Sequence, residues 1–386
     1  MTTLFVAKES RAGEHRIAAT PETVARYTKR GFTVLVQAGA GDGSSCADAL
    51  YSEAGAEIVP DFASGCTKAD VVLKVARPTV EEAAAIRKGS LLVSFLQAAQ
   101  EPEPAKALLD AGVGSFAMEL IPRTTLAQKM DALSSQANIA GYKAVLLAAS
   151  ALGRYFPLLM TAAGTVKPAR VVIFGVGVAG LQAIATAKRL GALVEATDIR
   201  PEVKEQVESL GGKFIEVKPD EGTEEASVYA KEASEEYKKR QAEAVAESVA
   251  AADVVITTAQ VPGARAPMLV PDSMIAGMKP GSVMVDLAVE QGGNIEGSAV
   301  GETVLKHGVQ IIGTPNLPAT VAVHASELYA RNVQHVIDHI IPTKENDGLE
   351  IRLDMEDEII DGSIAMLDGS VRHAPTAQAL NLEPAQ

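Results

Sequence analysis

The sequence has 386 residues, of which 47% are hydrophobic and only 4% aromatic, and its 49 Asp and Glu against 35 Lys and Arg give a net charge of −14. This length predicts two domains, each with a largely aliphatic core. The acidic charge argues against binding to nucleic acid or to anionic lipid, because both are polyanions.

The sequence also lacks the signals of secretion and of membrane insertion. Its two cysteines, Cys46 and Cys66, are too few for a disulfide framework and suit a reducing compartment. The N-terminus does not read as a signal peptide, and no apolar run approaches the roughly 20 residues of a membrane span. We therefore expect a cytoplasmic protein that does not itself enter the membrane.

The first 120 residues alternate short apolar runs with helical patterns, which is typical of an α/β domain. Pro in the first turn and Gly just beyond the end mark two of the helices. The predicted strands are Leu4–Ala7, Phe32–Gln37, Ala56–Val59, Val71–Val75, Leu91–Leu96 and Ser115–Leu120. The predicted helices are Pro21–Arg30, Val80–Lys88 and Glu103–Ala111.

A long helix is predicted to begin at Ser134, where apolar residues recur at three- and four-residue steps. It leads to the segment GVGVAG, residues 175–180, which follows the β-branched run Val171–Phe174 and opens an alanine-rich helix. In this strand–turn–helix context the motif predicts a dinucleotide site. The pyrophosphate would bind the main chain of this turn and the helix N-terminus, at Gly175, Val176, Gly177, Val178 and Gly180.

Asp198 ends the next apolar run, where a carboxylate binds the ribose hydroxyls and repels a 2′-phosphate. NAD(H) is therefore favoured over NADP(H), although Arg200 two residues later could receive a 2′-phosphate. We assign Ile199 and Arg200 to the same binding segment.

The chain then continues the α/β pattern with strands predicted at 213–217, 254–258, 283–288 and 311–313. A polar segment, 218–225, interrupts it and is predicted to be a lid over the site, the alternative being a solvated insertion without a function. A helix after Pro318 crosses back, and a hairpin turns at 367–369. We predict two Rossmann-like doubly wound domains joined by long helices, the first of them discontinuous: 1–132 plus 330–386, and 133–329.

The polar cluster between the two predicted domains comprises Arg123, Gln128, Asp131 and Ser134. These residues could orient a nicotinamide and its ribose. Hydride transfer between two nicotinamides needs no general acid or base, only aligned rings about 3–3.5 Å apart. The structural alternatives are that Ser134 caps the long helix and that Arg123 pairs with Asp131.

No metal site is predicted. His335 and His339 lie one helical turn apart, but no third ligand accompanies them.

The segments RTTLAQKMDALSSQANIAGY, VVIFGVGVAGLQAIATAKRLGA and MKPGSVMVDLAVEQGGN resemble domain I of the proton-translocating nicotinamide nucleotide transhydrogenases. The resemblance extends from Met1 to about His373 and implies the separate first α-subunit of a three-subunit form. It implies an NAD(P) transhydrogenase of the Si/Re-specific type that binds NAD(H) and exchanges hydride with NADP(H) on a partner domain III. A transmembrane domain II would couple this transfer to proton translocation.

The resemblance further implies a homodimer that is held peripherally on the cytoplasmic face of the inner membrane by its partner subunits. It assigns nicotinamide contacts to Arg123, Gln128, Asp131 and Ser134, and places Tyr229 in a mobile loop over the cofactor. Gln260 aligns with a residue near the adenosine. The sequence departs from the family pattern at Lys129, where a small polar residue is expected, and at Gln260, where an apolar one is expected.

Two alternative functions are weaker. An alanine dehydrogenase-like enzyme would share the fold, and Lys74 matches its oxo-acid lysine, but Gln97 stands where that chemistry needs a titratable histidine. A non-catalytic NAD(H)-binding module would have no need of the cluster from Arg123 to Ser134.

Overall fold

The computed structural model describes residues 2–217, 235–261, 263–342 and 349–384. The chain divides into two compact units, Met1–Gln136 with Pro318–Gln386 and Ala137–Leu317. Both boundaries differ from those expected at 132/133 and 329/330. The return boundary falls twelve residues earlier because the helix Ala322–Ile340 packs its apolar residues into the core of the first unit.

The first unit contains an eight-stranded sheet among its described residues. The strands are β1 (Thr3–Val6), β2 (Thr33–Gln37), β3 (Glu57–Val59), β4 (Val71–Leu73), β5 (Leu91–Ser94), β6 (Gly114–Ala117), β16 (Ile364–Leu367) and β17 (Ser370–Val371). They lie in the order β17-β16-β6-β5-β4-β1-β2-β3. Neighbours from β6 to β3 are parallel, whereas the C-terminal hairpin joins β6 in antiparallel orientation. The order 3-2-1-4-5-6 is that of a doubly wound fold.

Helices flank this sheet. The first shows how local sequence sets the bounds: Thr20 forms a capping box with Thr23, Pro21 opens the helix, and Gly31 ends it with φ +96°. The helices of the first unit are α1 (Pro21–Arg30), α2 (Asp48–Glu53), α3 (Phe62–Cys66), α4 (Val80–Ala85), α5 (Pro102–Ala111), α11 (Ala322–Ile340), α12 (Glu358–Ser363) and α13 (Ala374–Ala379). A 20-residue helix, α6 (Ala132–Ala151), carries the chain from the first unit into the second.

The second unit contains, within its described part, a seven-stranded sheet and a separate hairpin. The strands are β7 (Leu159–Thr161), β8 (Gly164–Val166), β9 (Arg170–Phe174), β10 (Leu193–Thr197), β11 (Lys213–Phe214), β12 (Val254–Thr257), β13 (Val283–Asp286), β14 (Thr303–Lys306) and β15 (Val309–Ile312). The large sheet has the order β11-β10-β9-β12-β13-β15-β14, and β7 pairs with β8 in the hairpin. All neighbours in the large sheet are parallel except the edge strand β14. The helices are α7 (Val178–Arg189), α8 (Lys204–Ser209), α9 (Glu235–Ala251) and α10 (Asp272–Ala276).

Each large sheet is buried on both faces. In β4, for example, Val71 and Leu73 enter one apolar cluster and Val72 enters another. This is why the central strands are continuous apolar runs instead of alternating ones. The carboxyl ends of the parallel strands consequently form the edge at which polar side chains collect, as doubly wound folds require.

No helix among the described residues is both long and apolar enough to cross a membrane.

Candidate functional site

The glycine motif lies where β9 ends and α7 begins, beside the point at which strand order reverses between β9 and β12. Gly175 has φ +89°, which L side chains rarely adopt. A Cβ on Gly180 would lie 1.9 Å from the carbonyl oxygen of Gly175, so only glycine lets α7 pack this closely on the turn.

The space at this turn fits a pyrophosphate. A Cβ placed on Gly177 would meet nothing within 4 Å, so the main chain there is open to close approach. Val178 begins α7, and the first N–H groups of a helix have no carbonyl partner within it. The side chain of Val176 is buried and its N–H donates to Asp198, so the candidate phosphate donors are the N–H groups at the start of α7. The turn therefore has the open cradle and the donors that the phosphates of NAD(H) would use.

Asp198 directly follows β10 and faces the same turn. Its Oδ2 accepts a hydrogen bond from the Val176 N–H at 2.6 Å, and Oδ1 accepts from the main-chain N–H and Nε of Arg200 at 2.9 and 3.0 Å. Burial alone would raise the pKa of this carboxyl, but the hydrogen bonds from Arg200 and Val176 outweigh it and hold the pKa below its ordinary value. The carboxylate is therefore ionised at neutral pH.

Two further predicted residues lie at this edge of the second unit. Ile199 is 96% exposed, so an apolar surface stands free next to Asp198, suited to an adenine face. Gln260 is exposed after β12, and its Nε2 donates to the carbonyl of Leu287 at 2.7 Å. Tyr229 and the predicted lid segment 218–225 lie outside the described residues.

The second predicted group lies in the first unit, in the loop between β6 and α6. Arg123 is exposed in this loop, and Gln128 is exposed on a short 3₁₀ helix, Ala127–Met130. Asn332 of α11 supports the loop, because its Nδ2 donates to the Lys129 carbonyl at 2.8 Å. Sequence reasoning missed Asn332, since 203 residues separate the two partners.

Asp131 and Ser134 form a local pair at the start of α6. The Asp131 carboxylate accepts from the main-chain N–H of Ser134 at 2.8 Å and from its hydroxyl at 2.6 Å. Asp131 thus caps the helix and Ser134 lies in its first turn, so the structural alternative in which Ser134 is the cap does not hold. In the described part of the chain the Asp131 carboxylate binds Ser134, not Arg123.

The lysine that could hold an oxo acid is sequestered in the first unit. The side chain of Lys74 is 1% exposed, and its Nζ lies 3.3 Å from carboxylate oxygens of both Glu9 and Glu82. Burial raises the pKa of Glu9 against the opposing effect of Lys74. Lys74 is therefore already in contact with two acidic side chains of its own unit.

Gln97 follows β5 in a strained conformation, with φ +48°. Its side-chain oxygen accepts from Arg77, and its main-chain N–H donates to the buried carboxylate of Glu119. The residue is thus held firmly, but it has no group that could transfer a proton.

Comparison with known proteins gives matches over almost the whole chain. Residues 5–140 match the family described as "Alanine dehydrogenase/PNT, N-terminal domain", and residues 144–374 match the corresponding C-terminal domain. A protein of Rhodospirillum rubrum, named as the first portion of NAD(P) transhydrogenase subunit alpha, is 48% identical over 377 residues. The match covers 96% of this chain and 97% of that one.

Two further relatives show the breadth of the family. A solved structure of transhydrogenase from Sinorhizobium meliloti superposes with a TM-score of 0.86 at 46% identity, covering 96% of this chain and 99% of that one. The alanine dehydrogenase of Mycobacterium tuberculosis is 36% identical over 320 residues, which is 81% of this chain and 80% of the relative. The chain belongs to the alanine dehydrogenase/PNT family and resembles its transhydrogenase α subunits over nearly its whole length.

Proposed function

We propose that this protein is the NAD(H)-binding subunit of a proton-translocating transhydrogenase. The observation that carries the proposal is the open main-chain cradle at Gly177 beside the ionised carboxylate of Asp198. The first would take the pyrophosphate and the second the adenosine ribose. Because a 2′-phosphate would face this carboxylate, NAD(H) would bind here and NADP(H) on a partner domain.

Bound NADH would supply a hydride to NADP⁺ on that partner. Arg123, Gln128, Asp131 and Ser134 would orient the dihydronicotinamide, because hydride transfer depends on alignment and on the exclusion of water. Side-chain donors and acceptors suffice for this task. The pair of Asp131 and Ser134 is preorganised for it by hydrogen bonds of 2.6 and 2.8 Å.

The partners would be an NADP(H)-binding domain and a transmembrane domain that couples hydride transfer to proton translocation. The support is the 97% coverage of the Rhodospirillum rubrum chain, whose name describes it as one portion of a subunit. We further propose that the protein sits on the cytoplasmic face of the inner membrane through these partners and forms a homodimer. The β7-β8 hairpin supports the dimer, since it exposes Leu158 and Met160.

The alternative, an alanine dehydrogenase, is less well supported by the site. Such an enzyme would need a proton-transferring group where Gln97 stands and a cation available to the oxo acid. Lys74 is instead buried against Glu9 and Glu82.

Steady-state assays separate the candidate functions. We expect the protein, mixed with an NADP(H)-binding transhydrogenase domain, to catalyse NADH-dependent reduction of thio-NADP⁺. Reduction of pyruvate with ammonia and NADH by the protein alone would instead show an alanine dehydrogenase. NADH binding with neither activity would favour a non-catalytic module, and absence of NADH binding would refute all three.

A further inference from the structure

The carbonyl of Gly175 accepts a hydrogen bond from a residue that directly follows β12, the strand next to β9. The hydroxyl of Thr258, the first residue after β12, lies 3.0 Å from the Gly175 oxygen and 3.1 Å from the Phe174 oxygen, and it donates to this pair. The main-chain N–H of Thr258 also donates to Phe174 at 2.9 Å. A Cβ on Gly175 would come within 2.6 Å of this hydroxyl, so the contact is close on both sides.

Asn294 fixes the residue that follows. Its side-chain oxygen accepts from the Ala259 N–H at 3.1 Å, and its Nδ2 donates to the carbonyls of Ala259 and Pro267 at 2.9 and 2.8 Å. Asn294 is fully buried. A buried side-chain amide that is hydrogen-bonded to the main chain of an irregular segment holds that segment in one conformation. If the segment moved, the amide would be left buried without hydrogen-bond partners, which is costly.

Asp286 fixes Asn294 in turn. This buried carboxylate, the last residue of β13, accepts from the main-chain N–H groups of Asn294 and Ala288, each at 2.9 Å. It also accepts from the Thr257 hydroxyl at 3.2 Å. The loops after β12 and β13 are thereby tied together and to the glycine turn after β9.

We propose that Thr258, supported by Asn294, is a positioning residue that fixes the pyrophosphate-binding turn before the cofactor arrives. This inference rests on the proposed function, because it assumes that the glycine turn binds the pyrophosphate of NAD(H). The three glycines of the turn have no side chains with which to pack, and free glycines lose much conformational entropy on ordering. A hydroxyl donor from a rigid neighbouring strand would order the turn in the free protein and so lower the entropic cost of binding.

The test compares Thr258→Val, which removes the hydroxyl at nearly constant shape, with Thr258→Ser, which keeps it. NADH fluorescence titrates binding with little background, because the chain has no Trp. We expect Thr258→Val to raise the NADH dissociation constant about three- to tenfold, as for one lost hydrogen bond, and Thr258→Ser to stay within about twofold of the native protein. Asn294→Ala should also weaken NADH binding, since it frees the loop after β12.

Fragments of the cofactor separate positioning from general destabilisation. ADP contains the diphosphate that would contact the glycine turn, whereas adenosine has no phosphate and would contact only the region around Asp198. We expect Thr258→Val to weaken ADP as much as NADH and to leave adenosine unchanged, with both fragments measured by displacement of NADH.

Asp253→Asn is the matched control. Asp253 is a buried acid at the opposite end of β12, where it accepts from the Arg170 N–H at 2.9 Å. All variants are assayed at least 10 °C below their measured melting temperatures, and the control should leave NADH binding unchanged.

Equal losses in Thr258→Val and Thr258→Ser, or equal losses for ADP and adenosine, would overturn the positioning role. The positioning role would also be overturned if Asp253→Asn lost as much NADH affinity, for the same loss of stability, as Thr258→Val does. If the native protein itself fails to bind NADH, the proposed function fails first. If it binds NADH and Thr258→Val binds equally well, only this inference fails.

Discussion

Asp198 meets Arg200 in a geometry that bears directly on cofactor choice. The Arg200 guanidinium lies on the carboxylate, with Nε 3.0 Å and Nη2 3.1 Å from its two oxygens. Arg200, which could otherwise bind a 2′-phosphate, is therefore paired with Asp198, whose negative charge would repel a 2′-phosphate. A low pKa keeps Asp198 ionised. Titration of Asp198 should therefore cause no change in NADH affinity between about pH 6 and pH 9.

Asp198→Ala should cost about 1.5–3 kcal/mol of NADH binding, the range for hydrogen bonds to a charged group. It should also release Arg200 and improve NADPH binding, while Asp198→Ala combined with Arg200→Ala should not. Fluorescence titrations with both nucleotides measure this. Glu195→Ala, an acid on the same strand β10 that pairs with Lys213, serves as the control and should bind NADH normally. Tight NADPH binding by the native protein would contradict the assignment.

The pair of Asp131 and Ser134 gives a second prediction at this scale. In Asp131→Asn an amide replaces one of the oxygens that accept from Ser134, and in Gln128→Asn the amide is one carbon shorter. Because small misplacement of reacting groups is costly, we expect either change to lower hydride transfer to the NADP(H)-binding partner at least about tenfold. NADH affinity should change less.

Stopped-flow transfer rates and NADH titrations together check this division of labour. Asp110→Asn, an exposed acid of α5 that pairs with Lys106, is the control and should transfer hydride at the native rate. Full-speed transfer in both site variants would mean that these residues only stabilise the loop. A loss of affinity as large as the loss of rate would make them anchors instead.

At the scale of elements, the buried cluster around Lys74 connects three parts of the first unit. Lys74 follows β4, Glu82 lies on α4, and Glu9 follows β1. The side chains of Lys74 and Glu9 are buried and that of Glu82 is 12% exposed, so removing Lys74 leaves two carboxylates close together without a compensating positive charge.

Lys74→Met should therefore destabilise the protein by about 3–5 kcal/mol, the cost of breaking a buried ion pair. Lys106→Met removes an exposed partner of Asp110 on α5 and should cost no more than about 0.5 kcal/mol. Urea denaturation followed by circular dichroism measures both. Equal stability of the two variants would show that Lys74 is not held by its carboxylates and would reopen a ligand-binding role.

For the whole molecule, the hairpin β7-β8 is the feature that points beyond one chain. Met160 is 74% exposed on its first strand, and Leu158, two residues earlier, is also exposed. Val166 is exposed on the second strand, where it pairs with Leu159 and so lies on the opposite face of the hairpin from Met160. Exposed apolar side chains on a small hairpin are typical of an interaction surface.

Met160→Asp should weaken the proposed homodimer, because a charge would be buried in its interface. Size-exclusion chromatography with light scattering across a dilution series measures this. Leu305→Asp is the control: Leu305 is 72% exposed on the edge strand β14, outside the hairpin. Dissociation by Leu305→Asp alone would move the interface to the sheet edge, and a native monomer at all concentrations would exclude the dimer.

Features written in contiguous residues could be predicted from the sequence. The bounds of α1 agree with the prediction because Thr20, Pro21 and Gly31 each act on the adjacent main chain. The strand, glycine turn and helix of the nucleotide motif form one unbroken segment, and the doubly wound class follows from repeated α/β patterning. The short helices α2 and α3 and the three-residue strands of β7-β8 were missed, because so few residues carry no clear period.

What only the tertiary structure decided is which distant groups meet. Thr258 reaches Gly175 across 83 residues, and Asn294 reaches Ala259 across 35. Lys74 matched an oxo-acid lysine in the sequence, but its burial against Glu9 and Glu82 is a property of the packed unit. The sequence by itself determined the fold class, the nucleotide motif and the acid that follows it, since their physics is local. The supports of that motif and the fate of buried charges depend on burial and on long-range pairing, which arise only when the strands are placed side by side.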